Sequence, residues 1–107
     1  MLRITVPDLR NNPAIFVLEG KLTCEWVNEL LRVTREIVPR STCVFDLEAV
    51  SYIDRAGEEA LCWLNRLGAR FATDSLYGKD LCQRLHLRWI GHEAMRKLLA
   101  SGSADAL

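Results

Sequence analysis

The sequence holds no Cys-x-x-Cys pair, no histidine-rich tract, no apolar run long enough to cross a bilayer and no excess of charge of either sign. Each absence removes a class of function. Cys24, Cys43, Cys62 and Cys82 stand singly, and neither His86 nor His92 lies at metal-ligand spacing from them, so neither a metal site nor a dithiol redox motif is expected. The near-even spacing of the cysteines suggests a repeat, but their surroundings (Thr-Cys-Glu-Trp, Thr-Cys-Val-Phe, Leu-Cys-Trp-Leu, Leu-Cys-Gln-Arg) share no longer pattern. They read as reduced, buried or half-buried thiols behaving as small hydrophobes. Lys plus Arg and Asp plus Glu number 14 each, which argues against a broad phosphate-binding surface and so against a nucleic-acid partner. Residues 1–7 lack the long apolar core of a secretory signal. Neither export nor membrane insertion is expected, and the default location is cytoplasmic.

What remains is an ordinary single-domain composition. With 50% hydrophobic and 26% charged residues over 107 positions, the chain can build one core without disulfide or metal staples. Residues 1–100 are read as that domain and residues 101–107, small and polar, as a flexible C-terminal tail. Residues 2–6 alternate apolar and polar and 14–18 form an apolar run, with Pro7, Asn11, Asn12 and Pro13 between them, which predicts two strands joined by a turn. Glu19-Gly20-Lys21 is expected to end the second strand. Thr23 is placed to cap a helix with Trp26, Val27, Leu30, Leu31, Ile37 and Val38 at apolar positions and a Leu22–Val27 staple. Pro39 disfavours helical geometry before it, so that helix should stop near Ile37. After a strand at 43–46, a helix over 55–67 places Ala56, Ala60, Leu61, Leu64 and Leu67 on one face and stops at Gly68. A short strand at 69–73, a helix at 76–85, a brief extended edge at 85–90 and a helix at 92–100 burying Met95, Leu98 and Leu99 complete the order. The fold class is α/β, a mixed four- to five-stranded sheet covered by about four helices, with right-handed crossovers between parallel neighbours.

The most informative stretch runs from Asp46 to Gly57. Cys43-Val44-Phe45 reads as a strand buried on both faces of a parallel sheet. A tight corner follows, and Asp54 is placed to cap the next helix. Val50 and Ile53 should anchor the corner in the core, leaving Ser51, Tyr52, Asp54 and Arg55 to face outward near the carboxyl end of the strand. Ligands and partners of open α/β sheets bind at that end.

Asp46-Leu47, Val50, Ile53-Asp54 and Gly57, preceded by the Gly20-Lys21-Leu22 turn into a first helix, resemble the core motif of the STAS domain family. The order of elements over residues 2–99 is similar to that family's as well. The resemblance implies a STAS-like fold and a bacterial regulator that engages a kinase-like anti-sigma factor and so frees a sigma factor. In members that act as switches the motif is Asp-Ser-Ser-Gly or Asp-Ser-Thr-Gly, and a partner kinase phosphorylates the first hydroxyl. Here Asp54-Arg55-Ala56-Gly57 stands in that place. Arginine accepts no phosphoryl group, and its charge is opposite to that of phosphoserine, so switching at the usual position is not expected. The resemblance also admits a small STAS subunit of an ABC transport system, bound to the ATPase.

Two readings stand for Arg55. At the first turn of a helix the macrodipole disfavours a cation by roughly 0.3 to 1 kcal/mol, and pairing with Glu58 and Glu59 offsets this, which makes Arg55 a surface residue in a local ion pair. Alternatively, Arg55 is a partner-recognition residue on a face that includes Asp54, Ala56, Gly57, Glu58 and Glu59, with Tyr52 and Tyr77 brought to the same edge by parallel strands. Ser51, Thr73 and Ser75 are candidates for a displaced phosphoacceptor, with turn and capping roles the better account. Trp63, toward the flank of its helix, is a candidate for self-association as a homodimer.

His86 and His92 are too few and too separated for a catalytic site, and His92, near a helix start, is expected to face solvent. Asp46 and Asp54 lack an accompanying nucleophile and read as capping residues. Gly78-Lys79 matches only the end of a phosphate-binding loop, since Asp80 occupies the Ser/Thr position and Thr73 stands where the first glycine belongs. No catalytic residue and no cofactor is expected. The chain reads as a non-enzymatic protein-interaction module, with a small anion or nucleotide sensor, using the same helix start and Arg55, as the alternative from another class.

Overall fold

Alternation along extended backbone puts Phe16, Phe45 and Phe71 on one face of three neighbouring strands. The computed structural model, which describes residues 1–7, 13–35, 37–38 and 42–101, pairs Phe16 with Phe45 and Phe45 with Phe71 in parallel register. Their rings stack in a row, with centroids 4.9 and 5.8 Å apart, and all three are fully buried.

The strands are β1 (Leu2–Thr5), β2 (Ala14–Leu22), β3 (Cys43–Ile53), β4 (Arg70–Ala72) and β5 (Trp89–Ile90), lying across the sheet in that order. β1 is antiparallel to β2 and the remaining neighbours are parallel, so the sheet is mixed. Helices α1 (Cys24–Thr34), α2 (Arg55–Arg66) and α3 (Leu76–Arg84) cover the phenylalanine face and bring Leu30, Leu61, Leu64 and Leu81 into the core. α4 (His92–Ser101) lies on the other face, where Met95 packs on Val44 and Ala72 with Ile15 and Ile90 at the margin. The expected α/β class, strand number and helix number all hold among the described residues. Val50 and Ile53 are buried, as the corner requires.

Element boundaries differ from expectation for identifiable reasons. β2 does not end at Glu19-Gly20-Lys21 but continues to Leu22, because irregularities between Val17 and Glu19 and between Gly20 and Lys21 absorb the turn-forming residues without breaking the ladder. Gly20 takes φ +102° there, and a Cβ on it would strike the Met1 carbonyl. β3 likewise runs on through 46–53, pairing Ile53 with Leu22, so the expected corner is the far end of one long strand. α1 stops at Thr34, short of Ile37, where the Thr34 hydroxyl donates to the Leu30 carbonyl at 2.7 Å.

Of the expected edge at 85–90, only Trp89–Ile90 is strand. Leu85-His86-Leu87 instead closes α3: the His86 amide bonds the Gln83 carbonyl and the Leu87 amide the Cys82 carbonyl, with His86 at φ +56°. That is the Schellman pattern. Gly68 closes α2 in the same way. The turn at 8–12, the Leu98 and Leu99 side chains and the tail at 102–107 lie outside the described residues.

Candidate functional site

The β2–α1–β3 and β3–α2–β4 crossovers leave β2 and β3 side by side with a helix starting after each. Helix starts expose amides without intrahelical partners, and here one side chain serves both. Asp54 accepts from the Gly57 amide through Oδ1 at 2.8 Å, capping its own helix α2, and from the Cys24 amide through Oδ2 at 2.8 Å, capping α1. Its own amide donates to the Leu22 carbonyl at 3.1 Å. Thr23 occupies the N-cap position of α1 as expected but makes no capping bond; its hydroxyl turns to Glu25. Gly57 is required by proximity, since a Cβ there would lie 2.6 Å from the Leu22 carbonyl oxygen and 2.7 Å from Ile53 Cγ2.

Around this corner the expected residues converge. Arg55 is 92% exposed in its side chain, and its Nε lies 3.5 Å from Glu59 Oε1. Glu58 does not pair with Arg55: it bonds Arg84 of α3 at 2.6 Å, because its position on α2 turns it toward α3. That contact holds the Arg84 guanidinium pKa above its usual value, chiefly by hydrogen bonding. Tyr52 is 49% exposed. Tyr77 comes to the same edge, but its hydroxyl is engaged: it accepts from the Ile53 amide at 2.7 Å and donates to the Ile53 carbonyl at 3.4 Å. Tyr77 therefore clamps the end of β3 from α3. Tyr52, Asp54, Arg55, Glu59, Cys62 and Arg66 line an open groove of about 700 Å³ along α2.

The hydroxyl candidates have local partners. Ser51 Oγ donates to the Gly20 carbonyl at 3.2 Å. Ser75 caps α3 by accepting from the Gly78 amide at 2.9 Å, and Thr73 Oγ1, fully buried, lies 3.1 Å from Ser75 Oγ.

A second polar cluster lies on the α4 face and departs from the sequence reading. His92 does not face solvent. Its Nε2 sits 2.8 Å from Asp46 Oδ2, with side-chain exposures of 20% and 12%, and its Nδ1 is 3.9 Å from Glu48 Oε2. Asp46 caps no helix; within β3 its Oδ1 accepts from the Glu48 amide at 2.9 Å. Asp74 Oδ2 accepts from the Glu93 amide at 3.0 Å, so two carboxylates fasten the first turn of α4. The signal for this pair was an aspartate inside an otherwise apolar buried run, where a charge needs a partner. Cys43 and Cys82 are buried as expected and Cys62 is half-buried, but Cys24 is exposed, because the first turn of α1 sits at the rim. Among the described residues, no group of three His, Cys, Asp or Glu side chains is placed to hold a metal ion, and no helix is long and apolar enough to cross a membrane.

No protein-family model matches the sequence, and no curated protein matches it significantly. Solved structures do match. An uncharacterized DUF3478-family protein with a SpoIIAA-like fold from Shewanella loihica PV-4 shares 11% identity over 92% of this chain and 91% of its own, with a TM-score of 0.61. The anti-sigma factor antagonist SpoIIAA in its unphosphorylated form shares 13% identity over 90% of this chain and 97% of its own, with a TM-score of 0.64. At such identities the likeness speaks for the fold, and the chain has a SpoIIAA-like α/β fold.

Proposed function

We propose that this chain is a non-enzymatic module that regulates a protein partner by docking the rim formed by Asp54, Arg55, Ala56 and Gly57, with Tyr52 and Glu59 at its border and Tyr77 holding it in place. The observation that carries the reading is the mounting of Arg55. The side chain is almost wholly exposed at the mouth of an open groove, while the backbone beneath it is tied down by the double cap of Asp54 and the Tyr77 clamp. A presented cation on a rigid backbone suits recognition, because that backbone loses little freedom on binding. Arg55 offers no hydroxyl, so the rim acts as a constitutive docking face, and the partner is a kinase-like anti-sigma factor in the bacterial cytoplasm. The rival reading, an anion sensor at the α2 start, is disfavoured because the Asp54 carboxylate already takes the Gly57 amide there and sets a negative charge where an anion would sit.

The test is retention of partners from the source cell by wild type and by Arg55→Glu, with mass spectrometry of what is held and a measured affinity for the leading protein. A kinase-like anti-sigma factor held by wild type and weakened at least tenfold by the variant is the expected result. An ABC ATPase lost in the same way would keep the docking face and change the pathway. Equal affinity for both proteins would reduce Arg55 to a surface ion pair and remove the proposal.

A further inference from the structure

We propose that the groove between α1 and α2, at the end away from the rim, is a second docking surface, which takes an acidic protein segment carrying one apolar side chain. Both helices start at Asp54. Arg35 follows the last turn of α1 and Trp63 stands in the last turns of α2, so this surface is separate from the rim. The groove has about 430 Å³ of open space, lined by Asn28, Leu31, Arg32, Arg35 and Trp63.

Its two sides differ in chemistry. Leu31 and Trp63 are only partly buried and pack on the core, giving an apolar floor with a large aromatic available at its edge. Asn28, Arg32 and Arg35 fall at i, i+4 and i+7 along α1 and its C-cap, a polar wall about 10 Å long. Among the described residues, no carboxylate lines the groove. The neighbouring Glu29 is committed to Arg32, whose Nε and Nη2 reach its two oxygens at 3.1 and 2.5 Å. That pair is solvent-exposed, and exposed pairs are weakly held and screened by salt, so an incoming carboxylate can share Arg32. Arg35 enters no ion pair among the described residues. An apolar segment alone would leave the two guanidinium groups partly desolvated and unmatched, and a basic one would meet like charge. An acidic segment with a leucine or phenylalanine against Trp63 and Leu31 satisfies both sides.

The probe is a fluorescein-labelled Glu-Asp-Leu-Glu-Asp peptide, with Lys-Lys-Leu-Lys-Lys as its opposite, titrated by anisotropy against wild type, Arg32→Glu/Arg35→Glu and Arg55→Glu. The α1 substitutions are exposed and leave the core untouched, and circular dichroism verifies the fold. Expected are saturable binding of the acidic peptide, weakening of about tenfold or more in the double variant and on raising salt, and no change in Arg55→Glu. Equal binding of the lysine peptide, equal binding by the double variant, loss in Arg55→Glu instead, or no saturation up to millimolar protein would each overturn the proposal. The Arg55→Glu arm keeps its outcome distinct from that of the rim.

Discussion

Asp54 and Cys24 stand 30 residues apart in the chain, yet the carboxylate of the first caps the amide of the second at 2.8 Å. Since the other oxygen of Asp54 caps Gly57 at the same distance, one side chain holds two helix starts at one corner. Removing an ordinary N-cap costs about 1 kcal/mol. Asp54→Ala is therefore expected to cost about 2 kcal/mol, roughly twice a single cap, read from the midpoint of urea unfolding at constant slope. Thr23→Ala, at the nominal cap that makes no capping bond, should cost far less. Equal losses in the two variants would contradict the double cap.

Glycine substitutions should separate close approach from backbone strain. Alanine favours a helix interior over glycine by about 1 kcal/mol, but at Gly57 its Cβ would sit 2.6 Å from the Leu22 carbonyl oxygen. Gly57→Ala should thus destabilise despite its propensity, and should move α2 relative to β2, weakening partner docking along with stability. His86 presents the converse case. It holds φ +56° at the end of α3, the place where helices usually put glycine. His86→Gly should raise stability by about 1 kcal/mol, less the entropy glycine adds to the unfolded chain. A thermal melt reads the sign, and a lower melting temperature would show the strain account to be incomplete.

The core and the α2 corner were legible because their signals are local. Phe45 and its neighbours advertise a buried strand, and Asp54 with Gly57 three residues on advertises a helix start against a sheet. Less legible was how far β2 and β3 extend, since Glu19-Gly20-Lys21 looks like a turn until a neighbouring strand supplies the pairing that keeps it extended. The second duty of Asp54, the turning of Glu58 toward Arg84 and the burial of His92 all depend on residues brought close only by the fold, across sequence separations of 30, 26 and 46. No periodicity in one strand or helix encodes them.

The His92–Asp46 contact supplies a prediction about local rather than global order. Among the described residues α4 is the helix on its face of the sheet, and its described anchors are Met95, the His92–Asp46 bond and the Asp74–Glu93 amide bond. Loss of a partner to a part-buried carboxylate costs about 1 to 3 kcal/mol. His92→Ala should therefore raise hydrogen exchange in α4 well before the amides of β3 exchange. A uniform rise over the whole chain would mean that α4 does not open as a separate unit.

Thiol chemistry provides a prediction whose sign follows from burial. Desolvation pushes the Cys43 and Cys82 thiols up to about 11 from an ordinary 9.0, because a thiolate inside the core loses its water. The folded chain keeps those protons to higher pH than the unfolded chain does. Between about pH 9 and pH 11 the unfolded state therefore binds fewer protons, and stability must fall as pH rises. The contribution is fully present below pH 9, and its loss is of the order of 2 kcal/mol per thiol by pH 11. At neutral pH the same burial should order the reactivity toward a disulfide reagent, with Cys24 first, Cys62 slower, and Cys43 and Cys82 only on unfolding. The alkaline loss is isolated by comparing urea midpoints of wild type and Cys43→Ala/Cys82→Ala from pH 8 to 10.5. The double variant starts less stable, because two cavities are left in the core, but its curve should be flatter. Parallel curves would assign the alkaline loss to other groups.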